Sequence, residues 1–226
     1  MTAFFERIVP NVAEKADVFG QSILDTLLMA VWSGVFIVLF GLVIGIVFVI
    51  TGDNGIRPNR VIYQILDKVV NLFRSIPFVI LLAGLMPLSR LIMGTAIGLK
   101  GAIVPLIIGA VPFYSRQVES ALSQVDRGQV EAAEAFGCSV PGIIFRVYLR
   151  ESIAPLARGT TIAIISLFGL IAMAGAVGAG GLGDFAIRYG HDRNQGDVTF
   201  VTVIVLVVLV SIIQIIGNGI AKKNTH

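Results

Sequence analysis

Long uncharged apolar runs alternate along the chain with short segments that carry the charges. Thr26–Gly52, Gly159–Gly183 and Val198–Ala221 contain 27, 25 and 24 residues without one charged side chain. Because a helix rises about 1.5 Å per residue, about 20 apolar residues cross a ~30 Å hydrocarbon layer. Each of the three runs therefore predicts a transmembrane helix.

Two further uncharged runs are shorter, with 15 residues each, at Ser75–Ser89 and Gly101–Ser115. Basic residues bound both runs, and long basic side chains can extend along apolar surface to the headgroups. Both runs are therefore expected to span, which makes five transmembrane helices in an all-α integral membrane protein. The predicted spans are 23–50, 76–93, 102–122, 159–182 and 198–220, within a single transmembrane domain over residues 1–226.

Composition agrees with this class of protein. The chain is 56% hydrophobic and 14% charged, with a mean hydropathy of +0.90, whereas soluble domains carry about 25% charged residues. A soluble globular protein is thereby excluded. The single cysteine, Cys138, excludes an internal disulfide and a cysteine-rich metal site, and no metal site is expected.

Basic residues are distributed unequally between the two sides of the predicted membrane. The segments 51–75, 116–158 and 221–226 hold 11 of the 17 lysines and arginines. Basic residues concentrate in cytoplasmic loops, so the N-terminus is predicted outside and the C-terminus in the cytoplasm. The asymmetry accounts for the net charge of +3, and no nucleic-acid partner is expected.

A polar segment, residues 126–155, separates the third and fourth predicted spans on the cytoplasmic side. Asp126 and Gln129 have the spacing of a capping-box-like pair at a helix start, and Gly137 can end that helix in a left-handed conformation. Ser139 suits the start of a second short helix. The segment is predicted to be a helix-turn-helix outside the bilayer.

The first of these helices has a face that suits close contact with another protein. Ala132 and Ala133 expose little side chain, so a partner can approach the helix backbone, and Glu131 and Glu134 place charges at the edge. The alternative is an ordinary amphipathic connector, because Glu and Ala are simply good helix formers.

The spacing of this loop resembles the EAA motif of ABC-importer permeases. Glu131-Ala132-Ala133 is followed after three residues by Gly137, and after nine more by Val147-Tyr148-Leu149. The resemblance implies a type I ABC-importer permease fold whose cytoplasmic coupling helix is bound by an ATPase. One departure is Arg150, which stands where the motif usually has proline; Pro155 can supply the bend five residues later. The residues implied in ATPase coupling are Glu131, Ala132, Ala133, Glu134, Gly137 and Leu149.

Beyond the loop, three segments resemble the methionine-importer permeases: Asn71–Phe78, Ile97–Leu106 and Gly175–Gly183. The resemblance implies a homodimer in the bacterial cytoplasmic membrane, two copies of a cytoplasmic ATP-binding subunit, and an outer binding protein that delivers methionine. The alternative within this class is a permease for another amino acid or small solute.

The sequence has no ATP site of its own. A phosphate-binding P-loop needs Gly, four residues, then Gly-Lys-Ser or Gly-Lys-Thr, and no such run occurs in the 226 residues. ATP and Mg are therefore expected on a partner chain, and this chain is predicted to be a non-catalytic transport subunit without a cofactor.

The fourth predicted span contains small and polar residues that suit a translocation path. The hypothesis places Ser166, Met173, Gly175 and Gly178 on the path or its gate, with Met173 as a flexible apolar seal. The alternative is that Met173 faces lipid. The glycine-rich run is expected to allow close helix packing or a kink.

One rival is enzymatic, because Gly181-Leu182-Gly183-Asp184 matches the Gly-x-Gly-Asp pattern of intramembrane aspartyl proteases. That chemistry needs a second membrane-embedded aspartate, and Asp25 and Asp67 lie at or outside span ends. A protease is therefore disfavoured. The segment 184–197 is predicted to be the main outer loop, either a docking site or a solvated connector.

A pair at the inner end of the third span has a plain structural interpretation. Arg116 and Glu119 are three residues apart on the predicted helix, where opposite charges lie on the same face. They are expected to form an ion pair at the membrane interface.

Overall fold

The computed structural model describes residues 9–224, and helices are the regular structure of that part of the chain. The α-helices are α1 Pro10–Glu14, α2 Ala16–Thr51, α3 Arg60–Ser75, α4 Phe78–Gly84, α5 Met86–Met93, α6 Gly98–Leu122, α7 Arg127–Ala135, α8 Val140–Ile143, α9 Leu149–Glu151, α10 Ile153–Ala174, α11 Gly181–Phe185 and α12 Gly196–Lys223. Three wider π-helical segments lie at Ile144–Tyr148, Gly175–Ala179 and Ala186–His191.

Four helical stretches between residues 9 and 224 are long and apolar enough to cross a membrane. They are α2 with 36 residues, α6 with 25, α10 with its π-helical extension to Ala179 with 27, and α12 with 28. Four of the five predicted spans thus fall on one long helix each, and each helix begins before the uncharged run that predicted it. The helix of the predicted span 159–182 loses its helical geometry at Val177 and Gly178, before the predicted end.

The remaining predicted span, 76–93, is divided between α4 and α5, so five is only an approximate count. Pro87 has no N–H to donate to the carbonyl of Ala83, which interrupts the helical hydrogen bonds. The N–H groups of Leu85 and Ser89 still bond four residues back, at 2.9 Å each. Together the two helices cover about 24 Å at 1.5 Å per residue, and the break between them falls at Leu85.

Helix α3 was not predicted, because its segment was identified only as cytoplasmic and basic. Asn59 caps its start, where Oδ1 accepts from the N–H of Ile62 at 3.1 Å. Its polar and apolar residues separate into two faces, and the apolar face leaves Val61, Ile65 and Leu72 exposed. The helix is strongly amphipathic and lies directly before α4 along the chain.

The described residues divide into two compact units. The first comprises the described residues up to Val35 with Pro77–Ile108 and Ile164–Ile213; the second comprises Phe36–Ile76, Gly109–Ala163 and the described residues from Gln214 onward. A single permease domain over 1–226 stays a prediction.

The first unit fixes its terminal helix α1 through a small apolar core and one polar pair. Val12, Phe185 and Val198 form the buried cluster. Asn11 binds the Asp197 carboxylate twice, through its backbone N–H at 3.1 Å and its Nδ2 at 3.0 Å. These contacts hold α1 against the start of α12.

The segment predicted as the outer loop, 184–197, is mostly helical, which corrects that expectation. Asp184 lies in α11, and the π-helical segment continues the chain to His191. Arg188 Nη2 binds Asp184 Oδ1 at 2.9 Å, four residues apart on one face. The non-helical part is reduced to residues 192–195.

The second unit packs its helices closely at glycines. A Cβ atom at Gly45 of α2 would lie 2.5 Å from Val118 of α6, and one at Gly217 of α12 would overlap Thr161 of α10. Small residues of this kind let transmembrane backbones approach. The Gly45 contact lies towards the end of α6, from which the candidate site extends.

Candidate coupling site

Helix α7 begins at a side-chain cap, as predicted, although the partner differs. Asp126 Oδ1 accepts from the N–H of Gly128 at 2.6 Å. The N–H of Gln129 instead donates to the backbone carbonyl of Asp126 at 3.1 Å. The Asp126 carboxylate therefore accepts one of the free N–H groups of the first turn. Its negative charge is also favourable at the positive end of the helix dipole.

The other end of α7 is closed by Gly137, whose φ of +73° confirms the predicted left-handed conformation. The Gly137 N–H donates to the Glu134 carbonyl at 2.9 Å, and the Cys138 N–H donates to the Ala133 carbonyl at 3.0 Å. This pair of bonds is a Schellman motif. A Cβ atom at Gly137 would meet nothing within 4 Å, so the backbone conformation is the constraint at this position.

The second half of the loop is helical past the position where the motif usually has proline. Ser139 caps α8, and helical structure continues through the π-helical segment and α9, which contains the exposed Arg150. The interruption falls at Ser152. Pro155 lacks the N–H that would bond the carbonyl of Glu151, which accounts for a break there.

Most residues implied in coupling lie together on α7 and its end. Glu131, Ala132, Glu134 and Gly137 are exposed, while Ala133 is half-buried. Leu149 is half-buried in α9, as Ala133 is in α7. Residues 131–137 thus form a largely exposed surface of small and acidic side chains, to which Phe136 adds an aromatic ring.

Two exposed aromatic residues of the loop were missed from the sequence. Phe136, between α7 and Gly137, is 88% exposed, and Phe145 is 68% exposed. Aromatic residues are enriched at protein–protein interfaces, so both side chains are candidate contacts for a partner. The feature of the sequence that could have indicated Phe136 is its position directly before Gly137, the glycine that ends the helix.

Arg127 was also missed, and it connects α7 to a distant part of the chain. Its Nε binds Glu131 Oε1 at 2.7 Å, and its Nη1 donates to Asn54 Oδ1 at 3.0 Å. Asn54 lies in the turn between α2 and α3. One guanidinium therefore contacts both Glu131 and that turn.

A cluster of charged and aromatic residues joins α2, α3 and α6 close to the loop. Arg116 Nη1 binds Glu119 Oε2 at 2.7 Å, which confirms the predicted pair, and Arg116 also binds Asp67. The Arg116 guanidinium lies 4.3 Å from the ring centre of Phe48. The Tyr63 hydroxyl donates to Glu119 Oε1 at 3.0 Å. Burial, then the hydrogen bond and charge of Glu119, raise the pKa of Tyr63, so it stays a donor.

A cleft of about 370 Å³ lies between α7 and these helix ends. Its walls include Phe48, Tyr63 and Glu119 on one side and Arg127 and Val130 of α7 on the other. The buried Tyr148 also lines the cleft, and burial followed by the negative charge of Glu134 raises its pKa. Helix α7 is therefore supported around the rim of an open space.

The residues proposed for the path or gate belong to α10 and the segment after it. Ser166 and Met173 are exposed and seven residues apart, so they share one face of the helix. The helix loses its regular conformation at Gly178, where φ is +95°. A Cβ atom at Gly175 would lie 2.9 Å from the Cα atom of Gly183. The glycine-rich run therefore forms both a kink and a close backbone contact.

The Gly-x-Gly-Asp run has a packing explanation in the same place. A Cβ atom at Gly181 would lie 2.7 Å from Thr26 Oγ1, and one at Gly183 would overlap the Ala172 carbonyl. The Leu182 N–H donates to Thr26 Oγ1 at 2.8 Å. Asp184 is paired with Arg188. These contacts account for the glycines without a protease site.

Residues 37–225 match the family described as binding-protein-dependent transport system inner membrane component. The chain belongs to this family. It is therefore a multi-pass transport permease of a membrane, in agreement with its four long apolar helices.

Relatives within the family carry names that specify a substrate. The chain is 40% identical over 222 residues to the probable D-methionine transport system permease protein MetI of Vibrio cholerae, covering 98% of this chain and 99% of that protein. It is 41% identical over 169 residues to the methionine import system permease protein MetP of Bacillus subtilis, covering 75% and 76%.

Solved structures resemble the fold of the permease over nearly its full length. One is the MetNI methionine ABC transporter in an inward-facing conformation, with a TM-score of 0.91 and 39% identity over 94% of this chain and 99% of that chain. An amino acid ABC transporter is similar in fold alone, with a TM-score of 0.76 at 15% identity. The type I importer permease fold is thus the fold of this chain.

Proposed function

We propose that this chain is the transmembrane permease subunit of an ATP-driven importer and that it forms the translocation path for methionine. The observation that carries the proposal is the preformed coupling helix α7, with its Asp126 cap and its Gly137 Schellman end. The names of the Vibrio cholerae and Bacillus subtilis relatives support methionine as the substrate.

The proposed assembly contains two copies of this permease, two ATP-binding subunits and an outer substrate-binding protein. The MetNI structural neighbour supports pairing with ATP-binding subunits, and the family description supports a binding protein. ATP and Mg bind the partner subunits, and this chain performs no hydrolysis.

The proposed coupling begins at the exposed surface from Glu131 to Gly137. ATP binding draws the two partner subunits together, and each carries one coupling loop with it. Because the second unit packs closely at Gly45 and Gly217, movement at its loop moves its helices as a body. The spans then tilt and open outward, and hydrolysis resets them.

The gate proposal rests on the exposed face of α10. Ser166 and Met173 lie on it, and a built Cβ atom at Gly169, between them, meets nothing within 4 Å. Two permease copies facing each other there would enclose a path of small side chains with Met173 as the seal. Gly178 gives the segment its kink, at which such a gate can move, and Gly175 gives it the close backbone contact with Gly183.

The proposed orientation places the N-terminus outside and the coupling loop in the cytoplasm. Cys138 is the single cysteine of the sequence and is exposed beside Gly137. We expect a membrane-impermeant maleimide to label Cys138 in inside-out vesicles but not in intact cells. Equal labelling of intact cells would place the loop outside and contradict the orientation.

The function is tested by ATP-dependent uptake of labelled methionine into proteoliposomes that hold the complex, with other labelled amino acids as competitors.

Gly137 variants test the coupling helix in the same assay. We expect Gly137→Val to lower uptake about tenfold, because a left-handed conformation costs an L-residue roughly 1–2 kcal/mol and a β-branched residue more.

Gly137→Asn is the matched control, since asparagine tolerates the left-handed region and should keep most of the uptake. Equal uptake by the valine and asparagine variants would remove Gly137 from the coupling assignment. Wild-type uptake that does not exceed the ATP-free background for any amino acid would remove the proposed function itself.

A further inference from the structure

Helix α3 presents three different faces along its 16 residues. One faces the protein, where Val70 is buried and the Tyr63 ring lies against Phe48 with the ring centres 5.4 Å apart. The second is polar and exposed, and it consists of Gln64, Lys68, Asn71 and Ser75. The third is apolar and between 43% and 67% exposed, and it consists of Val61, Ile62, Ile65, Val69 and Leu72. Residues three and four apart share a helix face, so each set forms a continuous strip.

Contacts of the protein-facing strip place α3 beside the inner ends of two membrane helices. Asp67 binds Arg116 of α6, and Arg116 directly follows the uncharged run Gly101–Ser115. The Asn59 N–H, at the start of α3, donates to the carbonyl of Thr51, the last residue of α2, at 2.9 Å. The exposed apolar strip therefore lies at the depth where hydrocarbon meets headgroups.

The chain on both sides of α3 limits how the helix can be oriented. Only Ile76 and Pro77 separate it from α4, the first part of the predicted span 76–93. A helix of 16 residues is about 24 Å long, so an upright α3 in the cytoplasm would hold the start of α4 far from the bilayer. A helix that ran into the bilayer would place the exposed Lys68 in hydrocarbon, which is costly. An orientation in the plane of the membrane surface avoids both results.

The charges of this segment favour an anionic surface as the occupant of the apolar strip. Asp67 is the single acidic residue of α3, and it is already bound by Arg116. Four basic residues are exposed and form no ion pair with any residue in 9–224: Arg57, Arg60, Lys68 and Arg74. A second copy of α3 packed on this strip would bring like charges together, whereas anionic lipids attract basic segments at the membrane surface.

We propose that α3 is an interfacial helix that lies in the plane of the cytoplasmic leaflet and binds anionic phospholipid. Its apolar strip enters the boundary between headgroups and acyl chains, about 5–10 Å deep as in other amphipathic surface helices. Its basic side chains extend to the phosphate groups. The proposal takes the leaflet from the proposed orientation and is independent of the transported substrate.

Spin labels on the full-length permease in nanodiscs of phosphatidylglycerol and phosphatidylcholine test the position of the helix. In a Cys138→Ser background, a label at Ile65→Cys should collide more with oxygen, which concentrates in lipid, than with a water-soluble nickel chelate. A label at Asn71→Cys is the matched control on the polar strip and should show the reverse.

Three results of the labelling experiment would overturn the proposal. Exposure of the Ile65→Cys label to the nickel chelate would place α3 outside the bilayer. Lipid exposure of the Asn71→Cys label as well would make α3 a part of a span. Strong spin–spin broadening between Ile65→Cys labels of two copies would show that a second copy covers the apolar strip.

Lipid binding to the purified permease, counted by native mass spectrometry, tests the headgroup contact. We expect Lys68→Gln to weaken phosphatidylglycerol binding about fivefold, the effect of one basic residue near an anionic surface, and to leave phosphatidylcholine binding unchanged. Lys68→Arg keeps the charge and should bind both lipids as the wild type does. Wild-type phosphatidylglycerol binding by Lys68→Gln, or an equal loss in Lys68→Arg, would contradict the contact. Neither measurement involves transport, so failure of the proposed function is distinguished by uptake alone.

Discussion

We expect Phe136→Ser to weaken binding of the proposed ATP-binding subunit by about 30-fold, which corresponds to roughly 2 kcal/mol. A phenylalanine that is 88% exposed gains roughly this much when a partner buries it, and aromatic residues dominate interface energetics. The measurement is the Kd of the purified ATPase for the permease in nanodiscs. Phe145→Ser should act in the same direction with a smaller effect, since Phe145 is 68% exposed.

Phe136→Leu is the control, because leucine keeps most of the apolar surface at the same position. It should bind within about threefold of wild type, a difference of less than 1 kcal/mol. A serine variant with wild-type affinity would mean that the partner does not cover Phe136, and the interaction surface would then have to be sought elsewhere on the loop.

We expect Gly217→Ala to destabilise the folded permease by about 1–3 kcal/mol, the usual effect of overpacking. The added methyl group would overlap Thr161 of α10, where the two helices meet. The measurement is thermal unfolding of the purified chain in detergent. A larger side chain, as in Gly217→Leu, should prevent recovery of folded protein.

The same helix supplies the matched control for this substitution. A Cβ atom at Gly219 would meet nothing within 4 Å, so Gly219→Ala should unfold at the wild-type temperature or slightly above it, because alanine is the better helix former. If both alanine variants unfold at the same temperature, close packing at Gly217 does not contribute to stability.

The sequence predicts those parts of the fold that depend on local chemistry or on the thickness of the bilayer. Thr26–Gly52 is uncharged for longer than a membrane needs, so α2 follows from length alone. Gly137 ends α7 because glycine adopts a left-handed conformation at no steric cost. Both features require only neighbouring residues.

Features that depend on distant residues could not be predicted in this way. The Arg127 contact with Asn54 joins positions 73 residues apart, and no periodicity of the chain points to it. Asp67 of α3 binds Arg116 of α6, and this contact could not be predicted either, because the two residues are distant in sequence. The division of span 76–93 follows from Pro87, but whether a proline bends or breaks a helix depends on its neighbours.

The amphipathic helix α3 shows a different limit of prediction from hydropathy. Its apolar residues occupy one face while polar residues occupy the other, so the segment has an average polarity near that of a loop. Only the period of about 3.6 residues distinguishes it, and counting charges for topology does not detect that period.

The two closed ends of α7 determine how this helix enters an assembly. Asp126 satisfies its first turn and the Schellman bonds satisfy its last, so its shape does not depend on a partner. A segment that is already folded loses little conformational entropy when it binds. The proposed ATP-binding subunit would then dock on a helix that is already folded, and the energy of contact would remain available for holding that partner.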